Sequence, residues 1–201
     1  PQAQASDAKP LADEMAGGSG EPQAACRKGL RYVARLARLR PRTAKDGEDA
    51  PERLHVTERG VLENLVRVPD ERRPPGPGQV ELRVRASGLN FRDVLFALGM
   101  YPGEIRRLGS DCAGVVTAVG EGVTRFRVGD RVVAMAEGAF ASHATTRWEF
   151  VGPLPRGLDF EQGASIPTAY LTADITLNLV GGMKKGDRVL IHSGAGGVGM
   201  A

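Results

Sequence analysis

The sequence predicts a β-rich domain of α+β character that leads into the start of an α/β unit, and three observations carry that prediction. Glycine supplies 27 of the 201 residues, about 13% where about 7% is usual. With 13 prolines added, the chain must turn often. From Arg53 onward, short runs rich in Val and Leu alternate with strong breakers, as closely packed short strands do and βαβ units do not. Near the carboxyl end, an apolar run passes directly into a glycine cluster, which reads as a strand followed by a helix start.

Composition bounds the function. Hydrophobic residues make up 41% and charged residues 25%, enough for a packed core and too apolar for a disordered chain. No apolar run reaches the roughly 18 residues of a membrane-spanning helix, and no charged-then-apolar signal segment opens the sequence. A net charge of +3 does not by itself argue for nucleic acid. Cys26 and Cys112 are too few for a disulfide framework or a metal cage and suit a reducing, cytoplasmic setting.

The elements follow in order. Residues 1–22 lack apolar periodicity and read as a linker with one helical turn around Leu11 to Met15. Residues 23–45 form a separate piece. Between Glu21 and Asp46 lie eight basic residues and no acidic one, and Arg31, Arg35 and Arg38 stand opposite Leu30, Val33 and Leu36. That spacing favours a basic amphipathic helix, whose charged side is most simply a solvated face and otherwise a surface for an anionic partner. Residues 43–52 are a polar break. Strands are expected around Leu54–Val68, Val80–Ala86, Ala113–Val119 and Arg131–Ala136, separated by PPGPG at 74–78, VGEG at 119–122 and VGD at 128–130. Together, residues 53–152 suggest a compact barrel or sandwich. A helix interrupts at Phe91–Leu98, with Asn90 as N-cap and Gly99 as C-cap. Residues 153–201 change texture: Pro167 splits the apolar stretch 160–180 into two helices, and Val189–His192 reads as a strand.

Gly194, Gly196 and Gly199 then match G-x-G-x-x-G within Ser193, Gly194, Ala195, Gly196, Gly197, Val198, Gly199. The first glycine permits a tight turn, the second lets backbone approach a pyrophosphate, and the third lets helix and strand pack closely. Backbone N–H groups at the helix start and the helix dipole would hold the phosphates. The same spacing arises by accident in turn-rich chains, and the confirming ribose reader would lie about 20 residues further on.

Three stretches in order, LNFRDVLFALGMYPGE (89–104), GSDCAGVVTAVGEGVTRFRVGDRVVAM (109–135) and GDRVLIHSGAGGVGMA (186–201), resemble the medium-chain dehydrogenase/reductase superfamily. Within it they are most similar to enoyl reductase domains of modular polyketide synthases. The resemblance covers residues 53–201. It implies a GroES-like β-barrel, then the first strand and glycine-rich turn of a Rossmann domain that binds NADPH. The implied reaction is hydride transfer to the β-carbon of an α,β-unsaturated acyl thioester and protonation at the α-carbon. The implied partners are an acyl carrier protein, bearing the substrate on phosphopantetheine, and an adjacent ketoreductase domain. Residues 21–39 resemble the segment that closes the structural half of that ketoreductase, where it is strand-like, and its conformation stays open against the helical periodicity. On this reading the chain stops inside its nucleotide-binding unit, and no turnover is expected of these 201 residues alone. A free-standing quinone or enoyl reductase and a non-catalytic barrel remnant stay open as alternatives.

The resemblance also assigns residues. Tyr101 falls beside the nicotinamide, where its phenol could deliver a proton to one face of an enolate; otherwise it covers the barrel mouth. Tyrosine there goes with the S configuration at an α-methyl branch. Asn90 matches an asparagine that contacts nicotinamide or substrate, alongside its cap role. Thr172 matches a threonine near the nicotinamide, or is a helix hydroxyl bonding backbone. The chain departs from the family just afterwards, with Asp174-Ile175-Thr176 where an aromatic residue is usual. Zinc-dependent relatives place metal ligands where this chain has Asn90 and Ser110-Asp111, so no metal is expected and carbonyl polarisation falls to hydrogen-bond donors. Asp93 and Arg92 are expected to form a local ion pair. His143 and His192 invite a general-acid reading, against which His192, ending the expected strand beside the glycine loop, reads as structural or supporting; His55 has no evident partner, and Cys112 reads as a buried small hydrophobe. The lysine and aspartate proposed as proton donors in the family would lie past Ala201.

Overall fold

The computed structural model describes residues 6, 8–17, 24–33, 50–104 and 107–201. The chain divides into two compact units, Pro1–Ala44 and Lys45–Ala201.

In the first unit, α1 spans Ala8–Gly17. The stretch read as a linker with one turn is thus a ten-residue helix, as its Ala, Leu and Met content favours. β1 (Ala24–Arg27) and β2 (Leu30–Val33) pair antiparallel, with Arg27 opposite Leu30. Lys28 and Gly29 both take positive φ, 51° and 74°, the two-residue turn that matches strand twist. The helical periodicity through Leu30, Arg31 and Val33 is therefore overturned by the Lys-Gly turn, whose left-handed pair no helix accommodates. Arg35 and Arg38 lie outside the described residues.

In the second unit, β3 (Glu52–Val56) and β4 (Leu65–Pro69) form a hairpin in place of one long β run. A five-stranded antiparallel sheet follows in the order β8-β5-β6-β7-β9. Its strands are β5 (Gln79–Gly88), β6 (Asp111–Val119), β7 (Arg131–Met135), β8 (His143–Arg147) and β9 (Val151–Pro153). β8 and β9 gave no signal in the sequence. HATTR carries almost no apolar content, and a three-residue strand is too short to show alternation. The hairpin joins the sheet through a bridge from Arg53 to Ala141 and through Leu54 N–H donating to the Phe140 carbonyl at 2.8 Å.

Alternation along the strands builds the core. Val80, Leu82, Cys112, Val116, Val132 and Ala134 point to one side and pack with Phe126, Ala144 and Val151. Burial pushes the Cys112 thiol up to about 12, with the Asp111 charge adding to it, so Cys112 behaves as a packed apolar residue. On the other face, the buried Glu81 receives two bonds from Arg72 and one from Thr117.

Three helices close the end of the sheet. α2 (Phe91–Ala97) stops at Gly99, whose φ of +70° suits the left-handed residue after a C-cap. α3 (Phe160–Ala164) begins in an Asp159/Gln162 capping box, and α4 (Pro167–Asp174) places Pro167 in its first turn, where the missing N–H costs nothing. Residues Ile175–Val180 continue α4 as a π-helical segment. α5 (Gly197–Met200) ends the chain. Residues 189–192, expected as a strand, form none: 189–191 carry no regular structure, His192 begins a turn, and Val189, Leu190 and Ile191 are exposed. Such a strand exists only by pairing, and among the described residues no strand lies beside it.

Candidate active site

The site is built where α2, β6 and α4 converge. Asn90 is extended (φ −102°, ψ 150°) and opens α2 in a capping box with Asp93. Asp93 is buried; its carboxylate accepts from Asn90 N–H at 3.2 Å and from Gly109 N–H at 3.1 Å. The expected ion pair with Arg92 is therefore replaced. Asp93 points inward to two backbone donors, while Arg92 is exposed on the opposite side of the turn. Gly109 (φ +86°) must be glycine, because a Cβ would sit 2.5 Å from the Phe140 nitrogen. Its fixed position delivers Ser110 and Asp111 to the end of β6.

Asn90 Nδ2 donates to Ser110 Oγ at 3.3 Å and to Asp111 Oδ2 at 3.1 Å. Asp111, only 3% exposed, also accepts from Thr168 N–H at 3.2 Å and from Thr168 Oγ1 at 2.6 Å. One carboxylate thus takes donors from α2 and from the first turn of α4. Gly88, opposite Asp111 in the β5–β6 register, leaves room for this: a Cβ there would meet the Ala164 carbonyl and lie 2.9 Å from Asp111 Cβ. The three positions singled out because zinc relatives put ligands there, Asn90, Ser110 and Asp111, therefore form one hydrogen-bonded cluster.

Thr172 follows Thr168 by four residues and so shares its face of α4. Its hydroxyl makes no hydrogen bond among the described residues. The helix hydroxyl that does bond backbone is Thr176, whose Oγ1 donates to the Thr172 carbonyl at 2.7 Å and the Ala173 carbonyl at 3.1 Å. Those bonds sit where the helix widens, with Gly181 N–H reaching back five residues to the Thr176 carbonyl. The widening begins at Asp174-Ile175-Thr176, the place where the sequence departs from the resembled family.

A cavity of about 220 Å³ lies between this segment and the glycine turn, lined by Ala173, Thr176 and Leu177 on one side and His192, Ser193 and Gly196 on the other. Ser193 takes a positive φ of 54°, and Gly196 N–H donates to its carbonyl at 2.8 Å. A Cβ on Gly199 would stand 2.5 Å from the Ser193 carbonyl oxygen and 2.7 Å from Gly194 Cα. Gly199 is thus packed on the turn itself and not on a strand, and an added Cβ at Gly194 or Gly197 would meet nothing closer than 3.9 Å, open backbone that suits a pyrophosphate group.

Tyr101 follows α2, its N–H donating to the Leu95 carbonyl at 3.1 Å. The ring lies half-buried against Gly103, where a Cβ would come 2.7 Å from Tyr101 Cε1. No hydrogen bond joins its hydroxyl to the Asn90 cluster among the described residues.

The histidines stand apart. His143 sits on β8 opposite Arg83 and lines the cavity that also contains Arg72 and Glu81; burial, then the Arg72 charge, holds its pKa below the ordinary value. His55 has a neighbour after all, Arg53 Nη1 at 3.4 Å from its Nδ1. His192 is exposed in the turn.

Sequence reasoning passed over Thr168, Thr176 and the bridging role of Asp111. The signal was available: Thr168, Thr172 and Thr176 recur every four residues, a row of hydroxyls along one helix face.

Comparison with known proteins shows what the chain as a whole is similar to. The Alcohol dehydrogenase GroES-like domain matches residues 76–171. Pikromycin polyketide synthase component PikAII of Streptomyces venezuelae is 45% identical over 203 residues, covering 92% of this chain and 5% of that protein. A phthioceranic/hydroxyphthioceranic acid synthase of Mycobacterium bovis is 42% identical, covering 95% of this chain and 10% of that protein. Among solved structures, the CurK enoyl reductase superposes with a TM-score of 0.71 at 39% identity, covering 76% of this chain and 49% of that one. Mycobacterial Rv1454c, solved with NADPH, gives 0.65 at 39% identity over 75% of this chain and 48% of its own. The chain thus spans about half of the reductase structures and a tenth or less of the synthases it matches.

Proposed function

The chain belongs to the medium-chain dehydrogenase/reductase superfamily, and from that premise we propose that it is part of an NADPH-dependent enoyl reductase domain of a modular polyketide synthase. The observation that carries the reading is the threonine row of α4. One end is tied through Thr168 to Asp111 and Asn90, and the other borders the glycine turn. Substrate-side and nucleotide-side residues are thereby strung along a single helix.

Bound NADPH would supply the hydride for the β-carbon of an enoyl thioester. Backbone N–H groups of Ser193, Gly194, Ala195, Gly197, Val198 and Gly199 would hold its pyrophosphate, while the Gly196 N–H is already engaged by the Ser193 carbonyl. Asn90 and Thr172 flank the nicotinamide side in this reading, and the Thr172 hydroxyl is free to engage a ligand. Among the described residues no hydrogen bond engages the Tyr101 hydroxyl, and Gly103 leaves room for its ring. That hydroxyl delivers a proton to the α-carbon of the substrate enolate, which sets the configuration there. The substrate arrives on the phosphopantetheine arm of an acyl carrier protein, a ketoreductase domain lies alongside, and the assembly works in the cytoplasm. Among the described residues no helix is long and apolar enough to cross a membrane.

The quinone oxidoreductases, 37–39% identical to this chain, supply the competing reading. The polyketide synthases match at 42–45% identity over 92–95% of the chain, which supports the synthase. The test is NADPH consumption by the complete parent protein with a 2-methyl-2-enoyl thioester and, separately, with a quinone. Thioester reduction with an S α-centre is expected, and Tyr101→Val should scramble or invert it. Quinone reduction without thioester turnover would overturn the assignment.

A further inference from the structure

Asp111 decides which hydrogen-bonding face Asn90 can show a ligand. A carboxylate accepts and cannot donate. The Asn90 atom 3.1 Å from Asp111 Oδ2 must therefore be the amino nitrogen, and the second hydrogen of that nitrogen meets Ser110 Oγ at 3.3 Å. Both donors of the amide are then engaged. Oδ1 has two lone pairs, and the helix cap uses at most one of them. Asn90 is half-buried and still reachable, but it has only an acceptor left to offer.

The neighbours of Asp111 reinforce this polarity. Thr168 N–H and Oγ1 both donate to it, so the carboxylate is anchored from α4 and cannot swing away to release the amide. In the other amide orientation, Asn90 Oδ1 would face a buried carboxylate oxygen, two acceptors in contact with no proton between them.

We infer that Asp111 is a positioning residue: it locks the Asn90 amide with the amino group inward, so that Asn90 recognises an amide N–H of its ligand and does not act as a donor to the thioester carbonyl. The inference rests on the enoyl reductase reading and narrows it, because it removes Asn90 from the groups that could polarise the substrate. Two amide donors are available in that reaction, the carboxamide of the nicotinamide and the amides of the pantetheine arm.

The experiment uses the complete parent protein. Dissociation constants are measured for NADPH and for its 3-acetylpyridine analogue, in which a methyl ketone replaces the carboxamide. KM is measured for an N-acetylcysteamine enoyl thioester and for a plain alkyl thioester lacking the amide. Loss of one hydrogen bond is worth about 2- to 10-fold in such a ratio. Wild type should prefer the amide-bearing partner of one pair by that factor, and which pair shows the preference identifies the source. Asn90→Ala should bring that ratio close to one. Asp111→Ala should do the same, because the freed amide can turn its amino group to a ketone. Asp111→Asn should keep the preference, since its carbonyl still accepts from Asn90 while the Thr168 hydroxyl turns to accept. Each ratio is taken within a single variant, so a loss of folded protein cancels. The inference is overturned if neither ratio moves in Asn90→Ala, or if Asp111→Ala behaves as wild type. Failure of wild type to bind NADPH at all overturns the cofactor reading as well; binding of both members of each pair equally overturns the inference alone.

Discussion

Replacing Arg72 with Met isolates the contribution of a charge held at the edge of the sheet. Glu81 accepts from Arg72 Nε at 3.0 Å, from Arg72 Nη2 at 2.6 Å and from Thr117 Oγ1 at 2.6 Å, with its side chain 4% exposed and that of Arg72 45% exposed. Breaking a fully buried pair costs about 3–5 kcal/mol because the remaining charge is stranded. Here the arginine side is open to water, so the expected loss at neutral pH is about 2 kcal/mol. The sign of the pH dependence follows from the pKa. The Arg72 bonds, opposed by burial and helped by Thr117, hold the Glu81 carboxyl below its ordinary value. Its contribution is therefore present above the unfolded value near 4.3 and is lost as pH falls through the folded value. In Arg72→Met burial dominates, the folded value rises above the unfolded one, and Glu81 takes up a proton inside the fold. The stability gap between wild type and variant should accordingly be widest near pH 7 and close on acidification toward about pH 4. Urea unfolding followed by Trp148, the single tryptophan, which packs against the core, measures the gap directly. A gap that is constant with pH would refute the reasoning, because a packing loss alone does not titrate.

Other outcomes follow from the same geometry. A disulfide reagent at pH 8 should label Cys26 in the native protein and reach Cys112 only after unfolding, since Cys112 is fully buried and its thiol is pushed up to about 12; two thiols reacting at one rate would contradict this. Gly199→Val places carbon against the Ser193 carbonyl and Gly194 Cα, and should weaken NADPH binding by fluorescence at least about 10-fold while leaving the far-UV spectrum of the sheet intact. Tyr101→Phe keeps the ring on Gly103 and removes only the hydroxyl. It should lower turnover on enoyl thioester by roughly 10²-fold with little change in NADPH affinity, and unchanged turnover would remove Tyr101 from proton delivery.

Most of the second unit was legible because its rules are local. Gly99, Pro167 and the alternating apolar residues of β5 and β6 each announce their role within a few positions. β8 was not legible, since His143-Ala-Thr-Thr-Arg147 becomes a strand through pairing with β5. The hairpin Ala24–Val33 misled for the opposite reason: its apolar spacing fits a helix, and the Lys28-Gly29 turn outweighs the spacing. At the site, Asn90 could be singled out and Asp111 could not be connected to it. Their partnership depends on Gly109, Gly88 and Thr168 bringing three distant segments to one point. The unpaired stretch 189–192 has the residues of a strand and lacks, among the described residues, the neighbour that would make it one.

The Asp111 junction also orders events in time. Its bonds close sequence gaps of 21 residues to Asn90 and 57 residues to Thr168, and longer closures carry the larger entropic cost. A ribosome extending this chain releases the sheet strands first and α4 afterwards. The Asn90 amide therefore acquires its fixed polarity only once Thr168 has emerged and docked. Until then the Asp111 carboxylate lacks two of the three donors that hold it, the Thr168 N–H and hydroxyl.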